Sequence, residues 1–110
     1  MSISELLEVV VKKSASDLHL IVGAQPTLRV DGDLVPIAAS ERLTEDEVQA
    51  LVFELVTEEQ KELLLVNKEV DFSFALADIA RFRVNSYHQR GYLSAALRLI
   101  PTMAITIMTG

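Results

Sequence analysis

The sequence predicts an α+β domain, with a mostly antiparallel sheet of about six strands and helices on one face. Three observations lead there. Half of the 110 residues are hydrophobic and 24% are charged, the balance of one globular domain with a core of its own. Apolar residues recur at helical spacing in three segments, each opened by a capping-box sequence. Elsewhere they alternate at period two, in short runs bounded by turn residues. The resulting order is helix, three strands, two helices, three strands.

The first helix opens at Ser2-Ile3-Ser4-Glu5, where the Ser2 hydroxyl and the Glu5 carboxylate satisfy free backbone N–H groups. Ile3, Leu6, Leu7 and Val10 share one face, and Lys12-Lys13 suits the negative end of the helix dipole. From Asp17 the period changes to two: Leu18, Leu20 and Val22 face one way, Asp17 and His19 the other. After Gly23-Ala24-Gln25-Pro26, Leu28 and Val30 alternate with Arg29 and Asp31. Asp31-Gly32 is a two-residue hairpin signal, followed by a returning strand with Leu34, Val35 and Ile37.

Thr44-Glu45-Asp46-Glu47 and Thr57-Glu58-Glu59-Gln60 are further capping boxes. They lead into Val48, Leu51, Val52 and Leu55, then Leu63, Leu64 and Val66, as two short helices joined at Val56-Thr57. Asn67 is read as the left-handed stop. Three strands close the chain. Phe72, Phe74 and Leu76 alternate with Asp71 and Ser73, and Phe82 and Val84 with Arg81, Arg83, Asn85 and Tyr87. Leu97 and Leu99 alternate with Ser94, Ala96 and Arg98. Gln89-Arg90-Gly91 turns the last hairpin, and Ala77-Asp78-Ile79-Ala80 makes the connection before it.

Composition excludes several function classes. Without cysteine there is no disulfide scaffold, thiolate metal site or thiol chemistry. Apolar runs such as Leu63-Leu64-Leu65-Val66 are far shorter than the ~20 residues of a membrane span, and the N-terminus lacks the pattern of a secretory signal. A net charge of −6 argues against general nucleic-acid or anionic-membrane binding. That total is uneven. Residues 1–80 carry six basic and sixteen acidic side chains, whereas residues 81–110 carry Arg81, Arg83, Arg90 and Arg98 and no acid. Arginine presents a rigid fork of donors matched to phosphate and carboxylate.

Catalytic patterns are absent: no phosphate loop, no G-x-G-x-x-G, no H-E-x-x-H. Asp31 and Asp33 flank Gly32 without the calcium-loop sequence that should follow, and His19 and His88 have no paired metal-ligand spacing. Ser16, Asp17 and His19 suggest a hydrolytic triad only superficially, because on a strand Ser16 would face away from the other two. The informative constellation is Arg81, Arg83, Asn85 and Tyr87 on one strand face, with Arg98 on the next strand. Such a strip either pairs with local acids such as Asp71 and Glu69 or meets an anion supplied by another domain or subunit. A nucleic-acid sheet reader would use the same residue types, but the acidic remainder and the missing ribonucleoprotein motif speak against it.

Ala15-Ser16-Asp17-Leu18-His19-Leu20, Pro26, Arg29 and Val30-Asp31-Gly32 resemble the opening of PilT-type twitching-motility ATPases, within the secretion-type ATPases. Glu69-Val70-Asp71-Phe72-Ser73-Phe74, Arg81-Phe82-Arg83-Val84-Asn85 and Arg98 to Pro101 match later parts of the same domain, in the same order. The resemblance implies a PAS-like N-terminal domain over residues 1–101, belonging to a homohexameric motor that couples ATP hydrolysis, with magnesium, to type IV pilus retraction. No cofactor is expected on this chain alone, and no nucleic acid. The implied partners are the C-terminal ATPase domains of the same and neighbouring subunits and the inner-membrane pilus platform. The implied location is cytoplasmic, peripheral to the inner membrane at the pilus base. In that family the N-terminal domain packs on a neighbouring ATPase domain and lends arginines to its nucleotide site. By motif these are Arg81, Arg83 and Arg98, with Arg90 a weaker candidate.

Residues 102–110 depart from the family pattern, in which an acidic, leucine-containing linker follows Pro101 and leads to the ATPase domain. Ile105 to Gly110 faintly resembles the strand that enters a phosphate loop, but its lysine and Ser/Thr never arrive. The alternative function is a free-standing PAS-like module for ligand binding or dimerisation. Against it, Phe72, Phe74, Phe82 and the leucines suffice to fill the core.

Overall fold

The computed structural model describes residues 1–38 and 40–101. Its elements run α1 (Ile3–Lys12), β1 (Asp17–Leu20), β2 (Thr27–Val30), β3 (Asp33–Pro36), α2 (Glu45–Phe53), α3 (Glu58–Asn67), β4 (Glu69–Leu76), β5 (Ala80–Gln89) and β6 (Tyr92–Ile100). All three capping boxes form, with the side chains of Ser2, Thr44 and Thr57 each accepting from the backbone N–H three residues on and their own backbone N–H groups donating to the side chains of Glu5, Glu47 and Gln60. The six strands make one sheet, ordered β3-β2-β1-β6-β5-β4, with every neighbouring pair antiparallel. Two consecutive three-stranded units are therefore joined through β1 and β6, elements from opposite ends of the chain.

One face of this sheet packs against the helices. Leu18, Leu20, Leu28, Phe82, Val84, Ala95 and Leu97 from the strands share the core with Leu6, Leu7 and Val10 of α1, Val48 and Val52 of α2, and Leu64 of α3. Phe82 is the largest fully buried side chain. Burying a side chain of this class contributes about 1.5–3 kcal/mol, so this layer supplies most of the drive to fold. The expectation of an α+β domain with six antiparallel strands and helices on one face is met.

Hairpin geometry follows the turn residues. Asp31 and Gly32 take φ of 52° and 85°, and Arg90 and Gly91 take 56° and 82°, the positive values that let a two-residue loop follow the strand twist. Several local details differ from expectation. β1 ends at Leu20, leaving Val22 half-buried beyond the strand, and Ile37 lies past the end of β3. The left-handed residue after α3 is Lys68, at φ 68°, rather than Asn67, which remains helical. That conformation turns the Lys68 carbonyl toward the His88 backbone N–H, which donates to it at 3.1 Å and opens the β4–β5 ladder. Of the apolar residues of α3, only Leu64 is buried; Leu63 and Val66 stay exposed because the helix lies against the edge strand β4 and covers it with one line of side chains. The expectation for Ile105 to Gly110 lies outside the described residues.

Candidate functional site

Alternation along the strands leaves the second face of the sheet without a helix over it. The register aligns its residues into rows. One runs Arg29, Asp17, Arg98, Arg83 and Ser73 from β2 across to β4. The next runs Thr27, His19, Ala96, Asn85 and Asp71. Arg81 lies one row beyond the first, opposite Ile100 on one side and Ala75 on the other.

Arg83 and Arg98 are directly opposed, an arrangement that like charges disfavour. Each guanidinium relieves it by turning to a carboxylate on its outer side. Arg83 donates to Asp71 through Nη2 at 2.8 Å and Nε at 3.2 Å, a bidentate pair. Arg98 donates through Nε alone to Asp17 Oδ1, at 3.0 Å. The other oxygen of Asp17 accepts from the Ser16 hydroxyl at 2.6 Å and lies 4.0 Å from Arg29 Nε. Arg29 is itself fixed by an Nη1 bond to the Gly32 carbonyl at 2.9 Å.

The two pairs differ in their contact with water. The Asp17 side chain is 9% exposed, against 47% for Asp71, while Arg83 and Arg98 are 69% and 76% exposed. Burial pushes the Asp17 carboxyl upward, but the hydrogen bonds from Ser16 and Arg98 outweigh it and hold the group below its ordinary value. The Arg83 hydrogen bond lowers Asp71, and the same bond raises Arg83. Both carboxylates are thus ionised at neutral pH. Between the pairs lies a shallow groove of about 340 Å³, lined by Asp17, His19, Asp71, Arg83, Asn85 and Arg98 among others. Its His19 Nε2 is buried with no hydrogen-bond partner among the described residues.

Of the arginines singled out in the sequence, Arg81, Arg83 and Arg98 share the open face in adjacent rows, while Arg90 sits in the hairpin turn past the far end of β5 from Arg81. Arg81 and Arg90 make no ion pair among the described residues, whereas Arg83 and Arg98 both do. Asp71 is the local acid expected for the strip; Glu69 makes no such pair among the described residues. Ser16 does not face away from Asp17, because it precedes the strand and its hydroxyl folds back onto the carboxylate. Sequence reasoning missed Asp17 and Arg29 as partners of this strip. The signal available was an aspartate beginning the short strand Asp17–Leu20, which says nothing of a partner 81 residues away.

No family model matches the sequence. Over 107 residues the chain is 39% identical to the type IV pilus retraction ATPase PilT of Pseudomonas aeruginosa, covering 97% of this chain and 31% of that protein. It is 30% identical to the type IV pilus ATPase PilU of the same organism, over 97% of this chain and 28% of that one. The crystal structure of the pilus retraction motor PilT with bound ADP matches with a TM-score of 0.87 at 36% identity, covering 93% of this chain and 30% of that chain. This chain is homologous to the N-terminal domain of the PilT-type ATPases. It spans less than a third of the length of these relatives. The open face of the sheet can donate hydrogen bonds to an oxyanion. Arg98 engages protein only through Nε, and Arg83 through Nε and Nη2, so terminal N–H groups of both point to solvent. Among the described residues there is no cluster of three or more metal-ligating side chains, and no helix is long and apolar enough to cross a membrane.

Proposed function

We propose that residues 1–101 form the N-terminal domain of a hexameric ATPase motor for type IV pilus retraction, and that residues 102–110 begin the connection to its ATPase domain. The observation that carries this reading is the likeness to the PilT retraction motor along nearly the whole described chain, at a TM-score of 0.87. In that assembly the open face packs on the ATPase domain of a neighbouring subunit. Arg81, Arg83 and Arg98 reach its nucleotide, with Arg90 contributing at the margin of the contact.

The residues present fit one part of a nucleotide and not another. Guanidinium forks suit phosphate oxygens, where positive charge supplied in trans favours the charge that develops during phosphoryl transfer. Arg81 is the readiest donor, since it holds no carboxylate among the described residues. Magnesium and its ligands are assigned to the ATPase domain of the parent motor. Hydrolysis is assigned to that domain as well. The same reading places the protein at the cytoplasmic side of the pilus inner-membrane platform. A free-standing ligand-binding module gains no support from the sheet–helix interface, which is filled by Phe82, Leu6, Leu7, Leu18 and Leu64.

The test is a chimaera in which this chain replaces the matching third of PilT. Alanine at Arg81, Arg83 or Arg98 is expected to lower ATP turnover without dissolving the hexamer. Unchanged turnover and unchanged assembly in all three variants would reject the role.

A further inference from the structure

We propose that the outer edge of β4 accepts an extended segment of another protein as a seventh strand, and that this segment alternates basic with apolar residues. Neither the arginines of the open face nor a nucleotide takes part.

The ladder decides which backbone groups of β4 face outward. The two-residue turn at Arg90-Gly91 makes Gln89 and Tyr92 a bonded pair, so the odd-numbered residues of β5 bond to β6 and the even-numbered ones turn to β4. The His88 N–H, donated to the Lys68 carbonyl, follows that alternation. The even-numbered residues of β5 oppose Val70, Phe72, Phe74 and Leu76. The N–H and C=O groups of Glu69, Asp71, Ser73 and Ala75 therefore point away from the sheet, and none has a backbone partner among the described residues. The opposite edge is blunted. By the same alternation β3 turns only Leu34 and Pro36 outward, and proline brings no N–H. β4 has eight residues and no proline, and a bare edge of that length is a template for another strand.

The two sides of β4 state what the added strand carries. On the helix side, Phe72 and Phe74 face the core yet are only half-buried. Leu63 of α3 is 43% exposed and lines a groove of about 610 Å³ with Asn67, Glu69 and Val70 among others. The run Leu63-Leu64-Leu65-Val66 wraps around its helix, so one sheet buries a single line of it and the rest is apolar surface for a second neighbour. On the open side the edge carries Glu69 and Asp71, and Glu59 lies one turn before Leu63 on the same line of α3. Asp71 already holds Arg83, but Glu59 and Glu69 make no ion pair among the described residues. Lysine or arginine opposite them supplies that charge, while valine-like residues in between cover Leu63 and the phenylalanines. A second copy of this chain, with its net charge of −6, matches the edge less well.

The test uses the 110-residue chain and two peptides of eight residues, the length of β4, one alternating lysine with valine and one alternating glutamate with valine. With the lysine peptide, amide hydrogen exchange read by NMR is expected to slow at Asp71, Ser73 and Ala75, by about tenfold at about 90% occupancy. The amides of Phe72 and Phe74, already bonded to β5, are expected to change little. An acid ~6 Å from a lysine favours it about threefold at a water-like dielectric, so the lysine peptide is expected to bind at least about threefold more tightly than the glutamate peptide. Ser73→Pro removes an outward N–H and no ladder bond, and is expected to abolish the protection while β4 stays paired with β5. Glu59→Lys combined with Glu69→Lys leaves the backbone edge intact and is expected to reverse the preference, which keeps the proposal testable if Ser73→Pro does not fold. No protection at millimolar lysine peptide, or protection retained in folded Ser73→Pro, would overturn the strand addition. Equal binding of the two peptides, an unreversed preference in the double variant, or a dimer in sedimentation that protects the same amides would overturn the basic partner.

Discussion

Replacing Asp17 by asparagine isolates the one ion-pair hub among the described residues that the fold shields from water. Asparagine keeps shape and volume but brings an amide where Ser16, Arg98 and Arg29 all present donors. A hydrogen bond to a charged group contributes about 1.5–3 kcal/mol, and breaking a fully buried pair costs about 3–5. Asp17 is buried, but Arg98 is 76% exposed and water recovers it after the change, so the lower range applies. The expected loss is about 2 kcal/mol. With an unfolding entropy of about 2.1 cal/mol/K per residue, a 110-residue domain loses about 9 °C of Tm for that change.

The pH dependence provides an independent check. The folded carboxyl of Asp17 lies below its unfolded value, so its contribution is complete above about pH 4 and fades as pH falls through the folded value. Calorimetry and urea denaturation of the two proteins between pH 7 and pH 2 therefore show a gap that closes on the acid side. A loss below about 0.5 kcal/mol at pH 7, the range of ordinary surface changes, would refute the hub's role. So would a gap that persists undiminished at pH 2.

Phe82→Ala opens a cavity at the centre of the sheet–helix layer; a loss of about 3–5 kcal/mol is expected in urea denaturation, enough to abolish much of the folded population of a small domain. Lys68→Gly relieves a left-handed residue at φ 68° and is expected to raise stability by about 0.5–1 kcal/mol, read as a higher Tm. Thr44→Ala removes the hydroxyl that accepts from the Glu47 N–H; the expected cost is about 1 kcal/mol, with a matching loss of helical circular dichroism on mild heating.

Features confined to a few neighbouring residues are legible in the order of the amino acids alone. Each capping box needs only a hydroxyl and a carboxylate or amide three residues apart, and all three close as the spacing predicts. Asp31-Gly32 and Arg90-Gly91 carry their hairpins for the same reason, since positive φ is a property of the turn residues themselves. Lys68 is harder to foresee. Asn67 has the stronger intrinsic preference for the left-handed region, and the bond from His88 to the Lys68 carbonyl, made across the sheet, decides between them. In α3 the apolar residues give no sign that one line alone is covered, because that depends on the helix lying at the edge beside β4.

The candidate site divides in the same way. Alternation along β5 and β6 places Arg81, Arg83 and Arg98 on one face from residue order alone, because successive side chains of a strand must point to opposite sides. Which charge each meets is settled only when β1 pairs with β6, bringing Asp17 beside an arginine 81 positions away. Local chemistry determines helices, turns and faces because its energies act over three or four residues. The neighbours of a strand are chosen by the burial of the whole apolar layer, so the acids that hold Arg83 and Arg98 become visible only in the folded chain.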